Sequence, residues 1–246
     1  MYTMKNIITL LLISTTIFSC QSNLNEVTEK DIDKLVEAIL DSNQVYDIAQ
    51  SLRFSNDTEH YNVVEYSQND SSKLFVESYF NNESEYTRQL YLNNGKVIFV
   101  KEMGYKFIDD VEEEYELKIY VFDDEHQQGY KKILDPEAEV EPSFEKFNET
   151  LVIDADKPKN AILQKGEFEM KFGEFLIIEP QSYLILENKE SNYNVALFIM
   201  EGDYLLDELY TNPEKYKGKT IFANHEFVTM AGVERMVYRG GILIEN

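Results

Sequence analysis

The chain contains a single cysteine and no tryptophan, and it is poor in glycine, proline and basic residues. Its 246 residues include 10 glycines, 5 prolines and 23 lysines and arginines, against 46 aspartates and glutamates. A lone cysteine excludes an internal disulfide, so the fold must be stabilised by its hydrophobic core. The shortage of basic residues argues against nucleic acid as a partner, because a phosphate-binding surface needs clusters of lysine and arginine.

The motifs of several common reaction classes are also missing. The sequence has no Gly-x-Ser-x-Gly elbow, no Gly-x-Gly-x-x-Gly loop and no His-x-x-x-His pair. Its three histidines, His60, His126 and His225, are far apart and indicate no zinc site. Asp154–Asn160 alternates oxygen ligands like the start of an EF-hand loop, but Lys165 takes the place of the glutamate at position twelve. We therefore predict no catalytic residue, no metal ligand and no cofactor.

The most informative segment that is present is an apolar run from Ile7 to Phe18, which follows Lys5 and precedes Ser19 and Cys20. A positive start, a short apolar core and a small residue before a cleavage point describe an export signal. The run has 12 positions, too few for a membrane-spanning helix, which needs about 20. We expect residues 1–19 to be a signal peptide that is cleaved between Ser19 and Cys20.

The end of this segment, Ile17-Phe18-Ser19-Cys20, resembles the lipobox of bacterial lipoproteins. The resemblance implies that the Cys20 thiol is linked to diacylglycerol and that cleavage exposes its amine for a further acyl chain. Several acyl chains give stable anchoring to a membrane. The expected location is the cell envelope, on the outer membrane facing the periplasm, since Gln21–Asn23 lacks the acidic cluster linked to surface export in some lipoproteins. Residues 20–27 then form a short tether.

The acidity of the chain bears on how it meets that membrane. The formal net charge is −23, and removal of residues 1–19 takes away Lys5, which leaves −24. A body with this charge has no electrostatic attraction to anionic lipid. We therefore expect the acyl chains on Cys20 to be its only contact with the membrane.

The remaining residues predict a β-rich α+β fold. Residues 28–135 are expected to form an N-terminal helix packed on an antiparallel β-meander, because Thr28 can cap a helix and Ile32–Leu40 has helical apolar spacing. Val45–Leu52 indicates a weaker helical turn or two. Asn93-Asn94-Gly95 is a strong hairpin signal. The predicted strands are Tyr61–Ser67, Leu74–Phe80, Tyr86–Leu92, Lys96–Glu102, Glu114–Phe122 and Tyr130–Leu134.

A second β-rich unit, residues 143–246, is expected after the acidic, proline-containing boundary Asp135–Pro142. The sequence leaves open whether this unit is separate or shares one sheet with the first. Three apolar strands, expected to be buried on both faces, precede a short helix and three further strands. They are Phe175–Glu179, Tyr183–Glu187 and Val195–Met200, then helix Tyr204–Tyr210, then Lys219–Met230, Val233–Tyr238 and Gly241–Ile244.

The last part of this unit carries a second, shorter resemblance. Leu209–Ile221, with its Asn-Pro, Tyr and Lys-Gly-Lys pattern, resembles the lead-in of OB-like modules of bacterial envelope proteins. For residues 203–246 the resemblance implies a helix and a proline turn ahead of a first barrel strand. Only 28 residues follow Gly218, so any further barrel strands must come from upstream.

Three functional hypotheses follow from these features. The first is a non-enzymatic, lipid-anchored envelope protein that binds an envelope protein or another envelope component. The second is a binder of small ligands or cations, which the acidity and the tyrosine content favour. The third is a hydrolase that uses paired carboxylates, for which 46 acidic residues leave many pairs available.

Overall fold

The structure is a computed structural model, and it describes residues 27–108, 111–123, 125–135, 140, 142–147 and 151–244. The predicted signal peptide 1–19, its cleavage site at Ser19 and Cys20, and residues 20–26 of the predicted tether lie outside these ranges. Residues 136–139 and 141 of the predicted boundary lie outside them as well.

The described residues contain five short helical segments. They are α1 (Glu29–Leu40), α2 (Asp156–Ile162), a 3-10 turn (Gly166–Phe168), α3 (Tyr204–Thr211) and α4 (Pro213–Tyr216). Within the described ranges, no helix combines the length and the apolar composition needed to cross a membrane.

Helix α1 begins where the sequence predicts it. The backbone N–H and the hydroxyl of Thr28 both donate to the carboxylate of Asp31, at 3.2 and 2.7 Å, which closes the first turn. Ile32 is buried, and Val36 and Ile39 pack beside it against the sheet. Exposed Leu40 lies outside this contact. The apolar stripe of α1 therefore covers one face of the meander.

Fourteen strands in the described residues form one sheet. Those of the first half are β1 (Asp47–Gln50), β2 (Phe54–Ser55), β3 (Glu59–Gln68), β4 (Ser71–Asn81), β5 (Ser84–Asn93), β6 (Lys96–Ile108), β7 (Val111–Val121) and β8 (Gln127–Leu134). Those that follow are β9 (Glu145–Phe147), β10 (Lys171–Ile178), β11 (Gln181–Asn188), β12 (Tyr193–Ile199), β13 (Ile221–Met230) and β14 (Val233–Leu243).

The meander is confirmed: β3 to β9 lie side by side in chain order and pair antiparallel. The hairpin predicted at residues 93–95 joins β5 to β6, with Asn94 at φ 51° and Gly95 at φ 77°. Both residues tolerate this left-handed conformation, as a two-residue hairpin turn requires. The β-rich class with an N-terminal helix and a large open sheet is therefore established.

Both halves of the chain belong to the same sheet. Strand β12 pairs with β2 through Asn194 and Ser55, which places β10, β11 and β12 beyond β2 and the meander on its other side. The β13–β14 hairpin joins β12 through a parallel bridge between Phe198 and Val237. Of the two arrangements left open by the sequence, the structure has the shared sheet.

The core also draws on both halves. Phe168, on the 3-10 turn, is fully buried and stacks on Tyr61 of β3 and Tyr193 of β12, with ring centroids 5.3 and 5.7 Å apart. The ring of Phe54 on β2 lies 4.7 Å from the same phenylalanine. One aromatic side chain thus contacts strands from both sides of the β2–β12 junction.

One local prediction is wrong, and the EF-hand-like pattern at Asp154–Asn160 is the start of a helix. Val45–Leu52 contains strand β1 instead of helical turns, because pairing of Ile48 with Tyr66 satisfies its backbone within the sheet. The alternating oxygen ligands of Asp154–Asn160 begin helix α2. The Asp154 carboxylate accepts hydrogen bonds from the backbone N–H groups of Asp156 and Lys157, at 2.8 and 3.2 Å, as side chains at helix starts do.

The C-terminal segment forms helices followed by a hairpin. Residues 203–244 contain α3, α4, β13 and β14, and the resemblance of 203–246 to OB-like modules stays a prediction. The two last predicted strands are one strand, β14. Gly240, at φ 122°, lies at the register shift of its pairing with β13, where the chain bends without ending the strand.

Candidate functional site

The most unusual surface of the described chain is the outer edge of β10, the first strand in the sheet order. Strand β11 pairs with its inner side from Lys171 to Ile178. On its outer side, Phe172 N–H donates to the Lys219 carbonyl at 2.9 Å, and Gly218 N–H donates to the Phe172 carbonyl at 2.8 Å. This outer pairing covers only the start of β10.

The rest of that edge is uncovered and apolar. No backbone hydrogen bond within the described residues reaches the outer side of Phe175–Ile178, which we call the open edge. Leu176, Ile177 and Ile178 are 42, 55 and 58% exposed. The prediction that this strand is buried on both faces is therefore wrong, because only Phe175 of its second half packs partly against the core.

A small apolar cavity lies beside the open edge. Its volume is about 190 Å³, and its lining includes Phe175, Ile177, Leu206 and Tyr210. The Tyr210 ring, on helix α3, lies 5.7 Å from the Phe175 ring. Helix α3 is held in place by its own apolar side, so the cavity sits between two fixed elements.

The position of α3 follows from its cap and its leucines. The Asp203 carboxylate accepts a hydrogen bond from the Leu206 backbone N–H at 2.9 Å and another from the Tyr238 hydroxyl at 2.9 Å. Leu205, Leu206 and Leu209 are buried. These contacts attach α3 to β14 and leave Tyr210, at 66% exposed, beside the open edge.

Acidic residues flank the open edge, but the edge itself is uncharged. Exposed Glu174 and Glu179 stand at its two ends, and its four residues carry no charge. Proteins usually protect edge strands by shortness or by charged residues. The other end of the sheet does both, because β9 has three residues, of which Glu145 and Lys146 are charged. The open edge lacks this protection.

A second candidate is a row of charged side chains inside the meander. Glu77, Arg88 and Glu102 are cross-strand neighbours on β4, β5 and β6. Arg88 Nε donates to Glu102 Oε2 at 2.6 Å, and the Tyr115 hydroxyl donates to Glu102 Oε1 at 2.6 Å. The Tyr61 hydroxyl donates to Glu77 Oε1 at 2.5 Å. Each carboxylate therefore has a tyrosine partner.

The two carboxyl groups of this row differ in their remaining oxygen. Both oxygens of Glu102 are paired, but Glu77 Oε2 is buried without a hydrogen-bond partner among the described residues. Burial raises the pKa of Glu77 above its ordinary value, although the Tyr61 hydrogen bond and the charge of Arg88 oppose this. Burial also lowers the pKa of Arg88, but the charge and hydrogen bond of Glu102, with Tyr86 and the charge of Glu77, together raise it above its ordinary value.

A carboxyl of raised pKa near an ionised carboxylate is a combination that acid–base hydrolysis uses. Such chemistry needs access for a substrate, and Glu77 and Glu102 are only 3 and 6% exposed. Neither residue lines the cavity beside the open edge or the three larger cavities of about 490 to 750 Å³. We therefore assign the row to the packing of the sheet.

Substitution of Glu77 by glutamine is expected to make stability less dependent on pH. Between its ordinary and its raised pKa, folded Glu77 holds a proton that the unfolded chain has released, so wild-type stability falls as pH rises through this window. Glutamine has no such proton. The stability of Glu77→Gln relative to wild type should therefore increase from pH 5 to pH 8, by on the order of 1 kcal/mol, as measured by urea unfolding.

Glu102→Gln is the matched control for this experiment. It removes the charged partner of Arg88 and should destabilise the protein by about 2 kcal/mol at pH 8, since hydrogen bonds to charged groups are worth that much. Parallel pH profiles for wild type and Glu77→Gln would contradict the assignment of a raised pKa to Glu77.

Other cavities and the histidines offer weaker candidates. Two adjoining cavities of about 670 and 750 Å³ share Val27 and Phe122, next to the predicted tether. A polar cavity of about 490 Å³ lies between the β2–β3 and β11–β12 turns. The three histidines lie in separate places: the His60 ring is tilted against a phenylalanine ring, His126 contacts an aspartate, and His225 contacts a backbone carbonyl. The described residues contain no group of three or more potential metal ligands.

Comparison of the chain with protein-family models, with curated proteins and with solved structures finds no match to any of the three. The predicted site residues, Ser19 and Cys20, lie outside the described residues. Sequence reasoning missed the open edge, although the uncharged run between Glu174 and Glu179 is visible in the sequence. It also missed Glu77, which lies two residues after buried Phe75 and therefore on the same face of β4.

Proposed function

We propose that the chain is a lipid-anchored protein of the bacterial cell envelope that binds an envelope protein or another envelope component and catalyses no reaction. The observation that carries the binding role is the open edge, Phe175–Ile178, with its apolar cavity. Exposed apolar surface of this kind typically marks an interaction site. The proposed anchor is acylated Cys20, supported by the lipobox resemblance, and the proposed place is the outer membrane, facing the periplasm.

In this proposal the two parts of the chain have different tasks. Residues 28–135, the helix and the meander, provide the scaffold, and residues 143–246 form a second β-rich unit whose short helix α3 flanks the open edge. The net charge supports a partner other than nucleic acid or anionic lipid. The alternatives are the binding of a small ligand or cation and hydrolysis by paired carboxylates. An experiment must distinguish both from the binding of an envelope component.

Site-specific photo-crosslinking in intact bacterial cells tests the proposal. A photoreactive amino acid in place of Leu176, on the open edge, should give one crosslinked product in the membrane fraction, because a bound partner covers this position. The same amino acid in place of Ile48 is the control. Ile48 is also exposed, at 63%, but it lies on the short strand β1, which begins with Asp47 and ends with Gln50, both polar. The products are identified by immunoblot and mass spectrometry.

Three outcomes would count against this proposal. The absence of any product at position 176 would remove the binding role of the open edge. Equal products at positions 176 and 48 would show crosslinking without a specific site. Turnover of a glycan or peptide substrate by the purified chain, lost in Glu102→Gln, would replace the proposal with the hydrolase hypothesis.

A further inference from the structure

We infer that the open edge binds an extended segment of another protein as an added β-strand, and that this segment has apolar residues flanked by lysine or arginine. The inference rests on the proposed function, because it names the chemistry of the partner at the same edge. It is carried by three features of β10: the free backbone, the neighbouring cavity and the acidic ends.

The backbone of the open edge is ready for pairing. Alternate residues of a strand turn their N–H and C=O groups to opposite sides, and β11 takes one side from Phe175 to Ile178. On the other side, the chain's own pairing with residues 218–220 ends at Phe172. An extended peptide can continue that pairing along the rest of β10, as in recognition by strand addition.

The side chains give the added strand its apolar character. Phe175 and Ile177 share one face of β10 and line the cavity next to Tyr210. Leu176 and Ile178 are exposed on the opposite face. A polar segment would leave the apolar side chains on both faces of β10 in contact with water. Apolar side chains from an added strand would cover them. Removal of this apolar surface from water favours such a complex.

The charges around the open edge favour a different protein, and not a second copy of this chain, as its partner. Antiparallel pairing of two open edges would bring Glu174 and Glu179 of each copy within a few residues of those of the other along the shared edge. Like charges this close repel each other, and each full chain also carries a formal charge of −23. Basic residues at the ends of a partner segment would instead meet both glutamates.

A defined peptide tests this inference. The probe is a fluorescein-labelled synthetic peptide of alternating valine and threonine with two lysines at each end, titrated with the protein by fluorescence anisotropy. Wild type should bind it, and Ile177→Lys should weaken binding at least about tenfold, or 1.4 kcal/mol. Ile177 is exposed, so the substitution should leave the fold intact, which circular dichroism checks. Hydrogen exchange should show new protection of the amides at residues 175–178.

Matched variants and peptides sharpen the interpretation. Ile48→Lys adds the same charge to another exposed isoleucine and should leave binding unchanged. Replacing the four lysines of the peptide by glutamates should weaken binding at least about tenfold in low salt, because Glu174 and Glu179 would then repel it. Equal binding of the lysine and glutamate peptides would overturn the role of the acidic ends.

Two further outcomes would overturn the inference as a whole. Failure of the lysine peptide to bind wild type, or binding without protection of residues 175–178, would exclude strand addition. A wild-type dimer in analytical ultracentrifugation that Ile177→Lys dissociates would assign the edge to a second copy. A specific crosslink at position 176 in cells together with no peptide binding would leave the proposed function standing and remove only this inference.

Discussion

Replacing Phe168 with alanine is expected to lower the free energy of unfolding by about 3–5 kcal/mol and the thermal midpoint by roughly 10 °C. The side chain is fully buried, and its ring lies 4.7 to 5.7 Å from the rings of Phe54, Tyr61 and Tyr193. Alanine removes these contacts and leaves a cavity that the surrounding strands can fill only in part. Urea unfolding and scanning calorimetry measure the loss.

The same variant tests whether the two halves unfold together. Phe168 contacts β2 and β3 on one side and β12 on the other, so the loss should move a single cooperative transition. Far-ultraviolet circular dichroism and tyrosine fluorescence should give the same midpoint. Two separate transitions, of which Phe168→Ala shifts only one, would contradict the shared core.

Phe80→Ala is the control for Phe168→Ala. Phe80 is the same residue type on β4, but it is 42% exposed, and within the described part of the chain its only ring contact is with His60, at 5.7 Å. Its removal should cost less than about 1 kcal/mol. A comparable loss in both variants would mean that the aromatic stack around Phe168 has no special weight in the stability of the fold.

Replacing Cys20 with serine is expected to move nearly all of the protein from the membrane fraction to the soluble fraction. Serine cannot form the thioether to diacylglycerol, and the proposed anchor depends on several acyl chains, since a single one binds a membrane only marginally. The charge of the body, −24 after cleavage, gives no alternative attraction to anionic lipid. Cell fractionation, detergent partition and incorporation of labelled palmitate provide the measurements.

Ser19→Ala is the control for the anchor. It keeps a small residue before the cleavage point, so lipidation and membrane retention should match those of wild type. Retention of Cys20→Ser in the membrane fraction after a high-salt wash would overturn the lipoprotein proposal. It would leave the test of the open edge unaffected, because that test uses the folded body.

Local patterns predicted most of the strands, because alternation and turn chemistry are properties of neighbouring residues. Asn94 and Gly95 favour a tight hairpin turn whatever the position of their two strands in the sheet. Thr28 and Asp31 specified the start of α1 in the same way. The pattern at Asp154 was ambiguous, since a carboxylate that accepts backbone N–H groups at a helix start has the same spacing as one in a calcium loop.

Burial was predicted less well than secondary structure. The apolar run Phe175–Ile178 has the composition of a central strand, and the charged residue Glu77 has that of a surface position. In the structure Leu176, Ile177 and Ile178 of the run are exposed, and Glu77 is buried. The composition of a segment indicates whether its side chains favour burial. Whether they are buried depends on which distant segments pack over them.

The sequence by itself determined the β-rich class, the N-terminal helix, the meander and its hairpin, and it supplied the prediction of an anchor at Cys20. Only the tertiary structure decided that β12 joins β2 in one sheet and that the pairing on the outer side of β10 ends at Phe172. Both results depend on contacts between residues more than forty positions apart in the chain. The periodicity within one strand contains no information about such contacts. The open edge could therefore be identified only from the complete arrangement of the strands.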